Sequence, residues 1–216
     1  MRPEFSTRNQ KQETRNVTVA VVLLNWNGAA WLRRFLPGVV AHSAQATVVV
    51  VDNASTDDSV VVLRTEFAGV EVLVHPENLG FCDGYNRALA ALEGRFDAYL
   101  LLNTDVEVTA GWLPPLVARL FSEETIVAVQ PKIRAHAAPA LFEYAGAAGG
   151  LLDAYGYPFC RGRLFDTLET DDGQYDDARP VFWATGACML VRAAAWHTLG
   201  GLESRFFAHM EEIDFC

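Results

Sequence analysis

"ATVVVVDNASTDDSVVVLRTEFAGVEVLVHP" (residues 46–76) holds the pattern that decides the fold. Its first eight residues are a nearly continuous β-branched run that ends on Asp52 and Asn53, the pattern of a strand covered on both faces. "STDD" (55–58) then offers an N-cap and an acidic first turn for a helix reaching about Phe67. "VEVLVHP" (70–76) is a second apolar run of strand length. Strand, helix and strand joined by short connections make a parallel pair with a right-handed crossover.

The same rhythm extends to either side. Upstream, "VTVAVVLLN" (17–25) is another buried strand, "NWNG" (25–28) turns the chain, and Trp31, Leu32, Phe35, Leu36, Val39 and Val40 recur at helical spacing. Pro37 is expected to kink or restart that helix, because proline lacks the N–H and clashes with the preceding turn. Downstream, "NLGFCDGYNRALAALEG" (78–94) opens with glycine and runs into an amphipathic helix. "FDAYLLLNTD" (96–105) is a fourth strand, with a helix expected from about Thr109. Four alternations predict an α/β fold: an open, Rossmann-like, mostly parallel sheet with helices on both faces. Ligands of such sheets lie beyond the carboxyl ends of the strands, where Asn25, Asp52, Asn53 and Asp105 all fall.

After about residue 125 the pattern changes. "TIVAVQPKI" (125–133) and "PVFWATGACMLVR" (180–192) read as strands, "LFEYAGAAGGLLD" (141–153) as glycine-rich β or loop, and 160–179 as acidic without a clear period. "AAAWHTLGG" (193–201) is a short helix closed by glycines. No linker separates the halves, so one structural domain is expected, with 17–124 as one half and 125–216 packed on it as a lobe. Residues 1–16, "MRPEFSTRNQKQETRN", read as a disordered leader or cloning remnant without the apolar core of a signal peptide.

A net charge of −10 argues against a general nucleic-acid binder, although a local cation or metal still permits an anionic small substrate. The four cysteines, Cys82, Cys160, Cys188 and Cys216, form no CxxC pair, which points to reduced thiols in a cytoplasm. No apolar run approaches the roughly 18 residues of a membrane span.

Six stretches, in order, carry a family resemblance: "VVLLNWNG" (21–28), "VVVDNASTD" (49–57), "NLGFCDGYNRAL" (78–89), "YLLLNTDVEV" (99–108), "TGACMLVRAAAWHTLGG" (185–201) and "FFAHMEEIDFC" (206–216). Over roughly 17–216 the chain resembles the inverting nucleotide-sugar glycosyltransferases of family 2, which have the GT-A fold. "NWNG" and the N-x-G-F-x-x-G-x-N-R-A pattern look most like bacterial rhamnosyltransferase-type members.

The resemblance implies a UDP- or dTDP-sugar donor and, as acceptor, a hydroxyl on a growing bacterial glycan or lipid-linked glycan. It divides the chain into a nucleotide-sugar-binding half (17–124) and a metal- and acceptor-side half (125–216). It implies a cytoplasmic location, peripheral at the inner face of the membrane if the acceptor is lipid-linked. Asp52 would contact the nucleoside. Asp105 corresponds to the last acid of a DxD-like motif that binds Mg²⁺ or Mn²⁺, with Asn103 in place of the first acid. "MEEID" (210–214) aligns with the ED motif, placing Glu212 as general base, with Glu211 and Asp214 as the alternatives. Members of the family usually continue past this motif. The chain is therefore read as a truncated form, weakly active, with a segment from about Phe206 onward that is mobile or ordered only by contact with a neighbour.

Further donor-side candidates are Asn25, Asn27, Asn53, Asn78, Gly80, Asp83, Asn86 and Asn103. Gly80 and Gly84 would let the backbone approach a ligand, and the helix N-terminus there favours anions. Asp83 and Asn86 share a helical face. Each site also has a plain reading: Asp52 in an Asx-turn, Asn103–Asp105 as a turn, and the 210–214 acids as a helix start. His209, Trp183 and Trp196 would pack, with ligation as the alternative for His209 and sugar stacking for the two tryptophans. Two other functions compete, a non-catalytic nucleotide-sugar or glycan-binding module and a sugar-phosphate nucleotidyltransferase. "NWNG" lacks the glycine-rich basic loop that the latter would carry.

Overall fold

The computed structural model describes residues 17–216 of the 216-residue chain, and the expected leader lies outside them. Strands β1 (Val19–Asn25), β2 (Thr47–Asp52), β3 (Glu71–Val74) and β4 (Ala98–Leu102) alternate with helices α1 (Ala29–His42), α2 (Ser59–Glu66) and α3 (Gly80–Ala91). They pair in parallel in the order β3-β2-β1-β4. The chain continues through α4 (Leu113–Leu120), β5 (Ala128–Val129), and strands β6 (Gly150–Leu152), β7 (Pro158–Cys160), β8 (Arg163–Leu164) and β9 (Thr167–Leu168). It closes with β10 (Cys188–Arg192), α5 (Ala193–Leu199), a 3-10 turn (Ser204–Phe206) and α6 (Glu211–Phe215). β10 joins the main sheet antiparallel to β4, and β5 pairs antiparallel to β10, giving six strands.

The alternation along β1 explains the layers. Val19, Val21 and Leu23 face a core completed by Leu32 and Leu36 of α1, Leu63 of α2 and Leu113 and Leu120 of α4. Ala20 and Val22 face the other way, against Tyr85 and Leu89 of α3 and Trp196 of α5. All five residues of β4 are fully buried, as a central strand covered on both faces must be.

The second half departs from expectation in its details. Only Ala128–Val129 and Cys188–Arg192 of the two long apolar stretches form strand, and β6–β9 make a separate four-stranded antiparallel sheet. Its small core gathers Phe142, Ala147, Cys160 and Trp183. A bridge between Gly150 and Trp183 ties this lobe to the segment that leads into β10. α1 runs unbroken through Pro37, because the proline ring lies on the solvent face, where water can satisfy the carbonyl its missing N–H leaves free. α4 begins at Leu113, beyond the expected Thr109, with Pro114 and Pro115 in its first turn, where a missing N–H costs nothing. No described helix is long and apolar enough to cross a membrane.

Candidate active site

The carboxyl ends of β1, β2 and β4 come together at the switch point of the sheet, between β1 and β4. Asn25 and Asp52 end their strands side by side and are fully buried. Asn25 Nδ2 donates to Asp52 Oδ2 (3.0 Å) and to Ser55 Oγ (3.2 Å), while Asp52 Oδ1 accepts from the Ser55 N–H (2.9 Å). Asp52 therefore closes an Asx-type turn with both oxygens bonded to the protein. Asn25 Oδ1 is buried with no partner among the described residues.

Asn27, exposed and at φ 52°, accepts from the Thr56 N–H (2.7 Å) and donates its own N–H to Ser55 Oγ (2.9 Å). Asp57 bridges two helix starts, accepting from Ala29 N–H (3.0 Å) and Ser59 N–H (2.9 Å). Burial pushes the Asp57 carboxyl up, but the bonds from Ser59 and Ala29 outweigh it and hold the group below its ordinary range. "STDD" thus works as an inter-loop brace, and α2 starts at Ser59 without a side-chain N-cap bond. Ser55 and Asp57 were missed by the sequence reading, although an S-T-D turn after a strand is the signal that carries them.

The α3 entrance differs most from expectation. Asn53 Nδ2 donates to Asn78 Oδ1 (2.9 Å) and to the Gly80 carbonyl (3.0 Å), and its Oδ1 accepts from the Leu79 N–H (3.1 Å). Asn78 Oδ1 also accepts from the Gly80 N–H (2.9 Å). A Cβ at Gly80 would lie 2.6 Å from the Phe207 ring, and one at Gly84 would lie 2.8 Å from Leu24. These glycines admit other parts of the protein rather than a ligand. The first N–H groups of α3 are likewise occupied: the Phe207 carbonyl accepts from Phe81 N (3.0 Å) and Cys82 N (3.4 Å). Asp83 accepts from the Ser204 hydroxyl. Asn86 clasps the Leu202 backbone, donating to its carbonyl (2.7 Å) and accepting from its N–H (2.8 Å). Asn53, Asn78, Gly80, Asp83 and Asn86, read from sequence as donor contacts, are all engaged within the protein.

At the end of β4, the Asn103 N–H donates to the Ala187 carbonyl (3.0 Å) and the Asn103 carbonyl accepts from the Val106 N–H (3.3 Å). That turn presents Asp105 exposed, without a hydrogen bond or ion pair among the described residues. Segment 184–187 links the pieces. Ala187 meets Asn103, Gly186 lies against Phe81 at the start of α3, and the Ala184 N–H reaches Cys216 Sγ (3.5 Å) at the end of α6.

α6 is docked rather than loose, contrary to the expected mobility beyond Phe206. Ile213 packs on the small-lobe core, and the Phe215 ring meets Trp196 at a tilt, with centroids 5.1 Å apart. Glu211 is buried, Glu212 partly buried and Asp214 exposed. Glu211 Oε2 and Glu212 Oε2 are both buried without a partner among the described residues. Burial, helped by the Glu212 charge, raises the Glu211 carboxyl above its ordinary range. The Cys82 thiol nearby is pushed up to about 11, chiefly by burial and then by Glu211 and Asp83. Trp183 and Trp196 are core residues. His209 is exposed at φ 73°, so the packing role expected for it is not observed.

A divalent metal fits this edge in one way only. Asp105 supplies a free, hard oxygen donor, but the described residues contain no group of three His, Cys, Asp or Glu able to hold an ion alone. The remaining ligands would have to come from a bound diphosphate. A cavity of about 600 Å³ opens elsewhere, between β5 and residues 177–184, and none of Asn25, Asp52, Asp105 or Glu212 lines it.

Comparison with known proteins completes the assignment. The model of glycosyl transferase family 2 matches residues 20–178. N-acetylglucosaminyl-diphospho-decaprenol L-rhamnosyltransferase of Mycobacterium tuberculosis is 28% identical over 213 residues, covering 90% of this chain and 67% of that protein. The low-salt glycan biosynthesis hexosyltransferase Agl10 of Haloferax volcanii is 22% identical over 209 residues, covering 95% and 62%. Among solved structures, the mannosyltransferase PcManGT of Pyrobaculum calidifontis, in complex with GDP-Man and Mn²⁺, superposes with a TM-score of 0.63 at 16% identity, over 94% of this chain and 51% of that one. S. aureus TarS 1–349 in complex with UDP gives a TM-score of 0.60 at 16% identity, over 92% and 53%. The chain spans about two thirds of the length of the curated relatives and about half that of these solved structures. It belongs to glycosyl transferase family 2, is rhamnosyltransferase-like within it, and has the GT-A fold.

Proposed function

We propose that the chain carries the transfer site of an inverting enzyme that moves a sugar from a UDP- or dTDP-sugar to a hydroxyl of a glycan acceptor. One observation carries this reading. At a strand edge where Asn27, Asp52, Asn53, Asp57 and Asn78 all bond within the protein, Asp105 and the α6 glutamates keep unbonded carboxylate oxygens. Asp105 is open to a ligand directly, while the two glutamate Oε2 atoms are enclosed acceptors still lacking a partner among the described residues.

Asp105 would hold Mg²⁺ or Mn²⁺ together with the donor diphosphate, and the cation supplies charge stabilisation to the leaving nucleoside diphosphate. The nucleoside would lie over the ends of β1 and β2, where Asn25 Oδ1 is the one unbonded acceptor of that pair and Trp26, 58% exposed, offers an aromatic face. Asp52 shapes this floor by holding Asn25 and the 52–55 turn.

Glu212 takes the proton of the acceptor hydroxyl as that oxygen attacks the anomeric carbon from the face opposite the diphosphate. The bond from carbon to phosphate oxygen breaks with its electron pair on the diphosphate, so a single displacement inverts the carbon. Glu211, whose carboxyl burial raises above its ordinary range, is the alternative base. A lipid-linked glycan acceptor, of the kind named for the mycobacterial relative, would bring the enzyme to the cytoplasmic membrane surface as a peripheral protein. A thermal-shift panel of UDP-, dTDP- and GDP-sugars with and without Mn²⁺ tests the donor reading. Stabilisation by UDP- or dTDP-sugars that requires Mn²⁺ supports it, and a response to none of them contradicts it.

A further inference from the structure

We propose that Asn86 and Asp83 are positioning residues, fastening segment 202–207 to α3 and thereby holding Glu211 and Glu212 against the carboxyl edge of the sheet. The inference rests on the reading of Glu212 as the base.

As the chain runs from 202 to 207 it descends α3 towards its N-terminus, attached at three successive levels. Asn86 takes both backbone groups of Leu202, at 2.7 and 2.8 Å, which sets that residue's orientation as well as its place. Asp83, nearer the helix start, takes the Ser204 hydroxyl. The Phe207 carbonyl then closes on the N–H groups of Phe81 and Cys82, and its ring covers Gly80. At and beyond the last contact of this zipper, Phe207, His209 and Met210 sit at φ 59°, 73° and 71°. Side chains rarely adopt that conformation, and it persists only where the surroundings over-determine it. Glu211 follows at once, as the first residue of α6. The far end of α6 is pinned independently by Ile213 and Phe215, so loosening the zipper should shift the glutamates without unfolding the helix's seat.

The test uses Asn86→Ala, Asp83→Ala, Ser204→Ala and Asp83→Asn in the whole chain. Amide hydrogen exchange, UDP and dTDP affinity with Mn²⁺, and donor kcat and KM are read for each. In Asn86→Ala, exchange over 203–214 should rise about tenfold or more while the rest of the chain is unchanged. Its kcat should fall up to about 100-fold with KM and nucleotide affinity kept, the signature of a displaced catalytic group. Asp83→Ala and Ser204→Ala should resemble each other, and Asp83→Asn, which retains an acceptor oxygen, should resemble the unsubstituted chain. Four results would overturn the proposal: unchanged exchange over 203–214, a rise spread over the whole chain, lost nucleotide affinity in Asn86→Ala, or Asp83→Asn as damaging as Asp83→Ala. Exchange and affinity need no turnover, so an inactive unsubstituted chain would count against sugar transfer and leave exchange to decide the zipper.

Discussion

Asp52 and Asp105 stand at the ends of strands on either side of β1, but they are opposite kinds of residue. Asp52 is fully buried and bonded through both oxygens, so Asp52→Ala leaves the Asn25 amide and the Ser55 N–H short of a partner. We expect a loss of about 1–3 kcal/mol in urea unfolding. Asp105 is exposed and bonded to nothing among the described residues, so Asp105→Ala should change stability by no more than about 0.5 kcal/mol. It should nevertheless abolish Mn²⁺-dependent binding of UDP or dTDP in calorimetry, and unchanged affinity would remove it from the site. Glu211 makes a third case. Its carboxyl is raised above an ordinary 4.5, so the folded state holds its proton more tightly than the unfolded chain does. That contribution to stability is complete below about 4.5 and is lost as pH climbs through the raised value. Glu211→Gln should therefore flatten the fall in Tm from pH 4.5 to 7 and leave the protein more stable than the unsubstituted chain at pH 7. A variant less stable at pH 7 would mean that the Glu211 charge has a stabilising partner.

Among the elements, the parallel strands and their helices were legible because each is long enough to show its period: β1, β2 and β4 are apolar runs, and α1 and α3 repeat at helical spacing. β6 to β9 were not, because strands of two or three residues are too short to display an alternation. The antiparallel seat of β10 beside β4 has no local signal either, being a choice made by pairing across the chain. The small sheet depends on one close contact, since a Cβ at Gly150 would lie 1.8 Å from the Trp183 ring. Gly150→Ala should then cost about 3 kcal/mol in denaturant unfolding, the scale of a severe overpacking. A loss below about 0.5 kcal/mol would show that Trp183 can move aside at little cost.

At the scale of the whole molecule, the strand ends singled out in the sequence meet at one edge of the sheet, and several polar residues read there as donor contacts are bonded within the protein. Asn86 and Asp83 look like ligand contacts locally, and nothing near them in the chain reveals that their partners are 116 and 121 residues away. Asp105 and Glu212 could be singled out by the family motifs, and both keep oxygens without a partner among the described residues. Sugar transfer through Glu212 is best tested by comparing the unsubstituted protein with Glu212→Gln, in transfer rate and in nucleotide-sugar affinity together. The amide keeps the shape of the side chain and cannot take the acceptor proton, so transfer should fall by about 100-fold or more while affinity stays within about twofold. A Glu212→Gln protein that transfers sugar at the unsubstituted rate would contradict it.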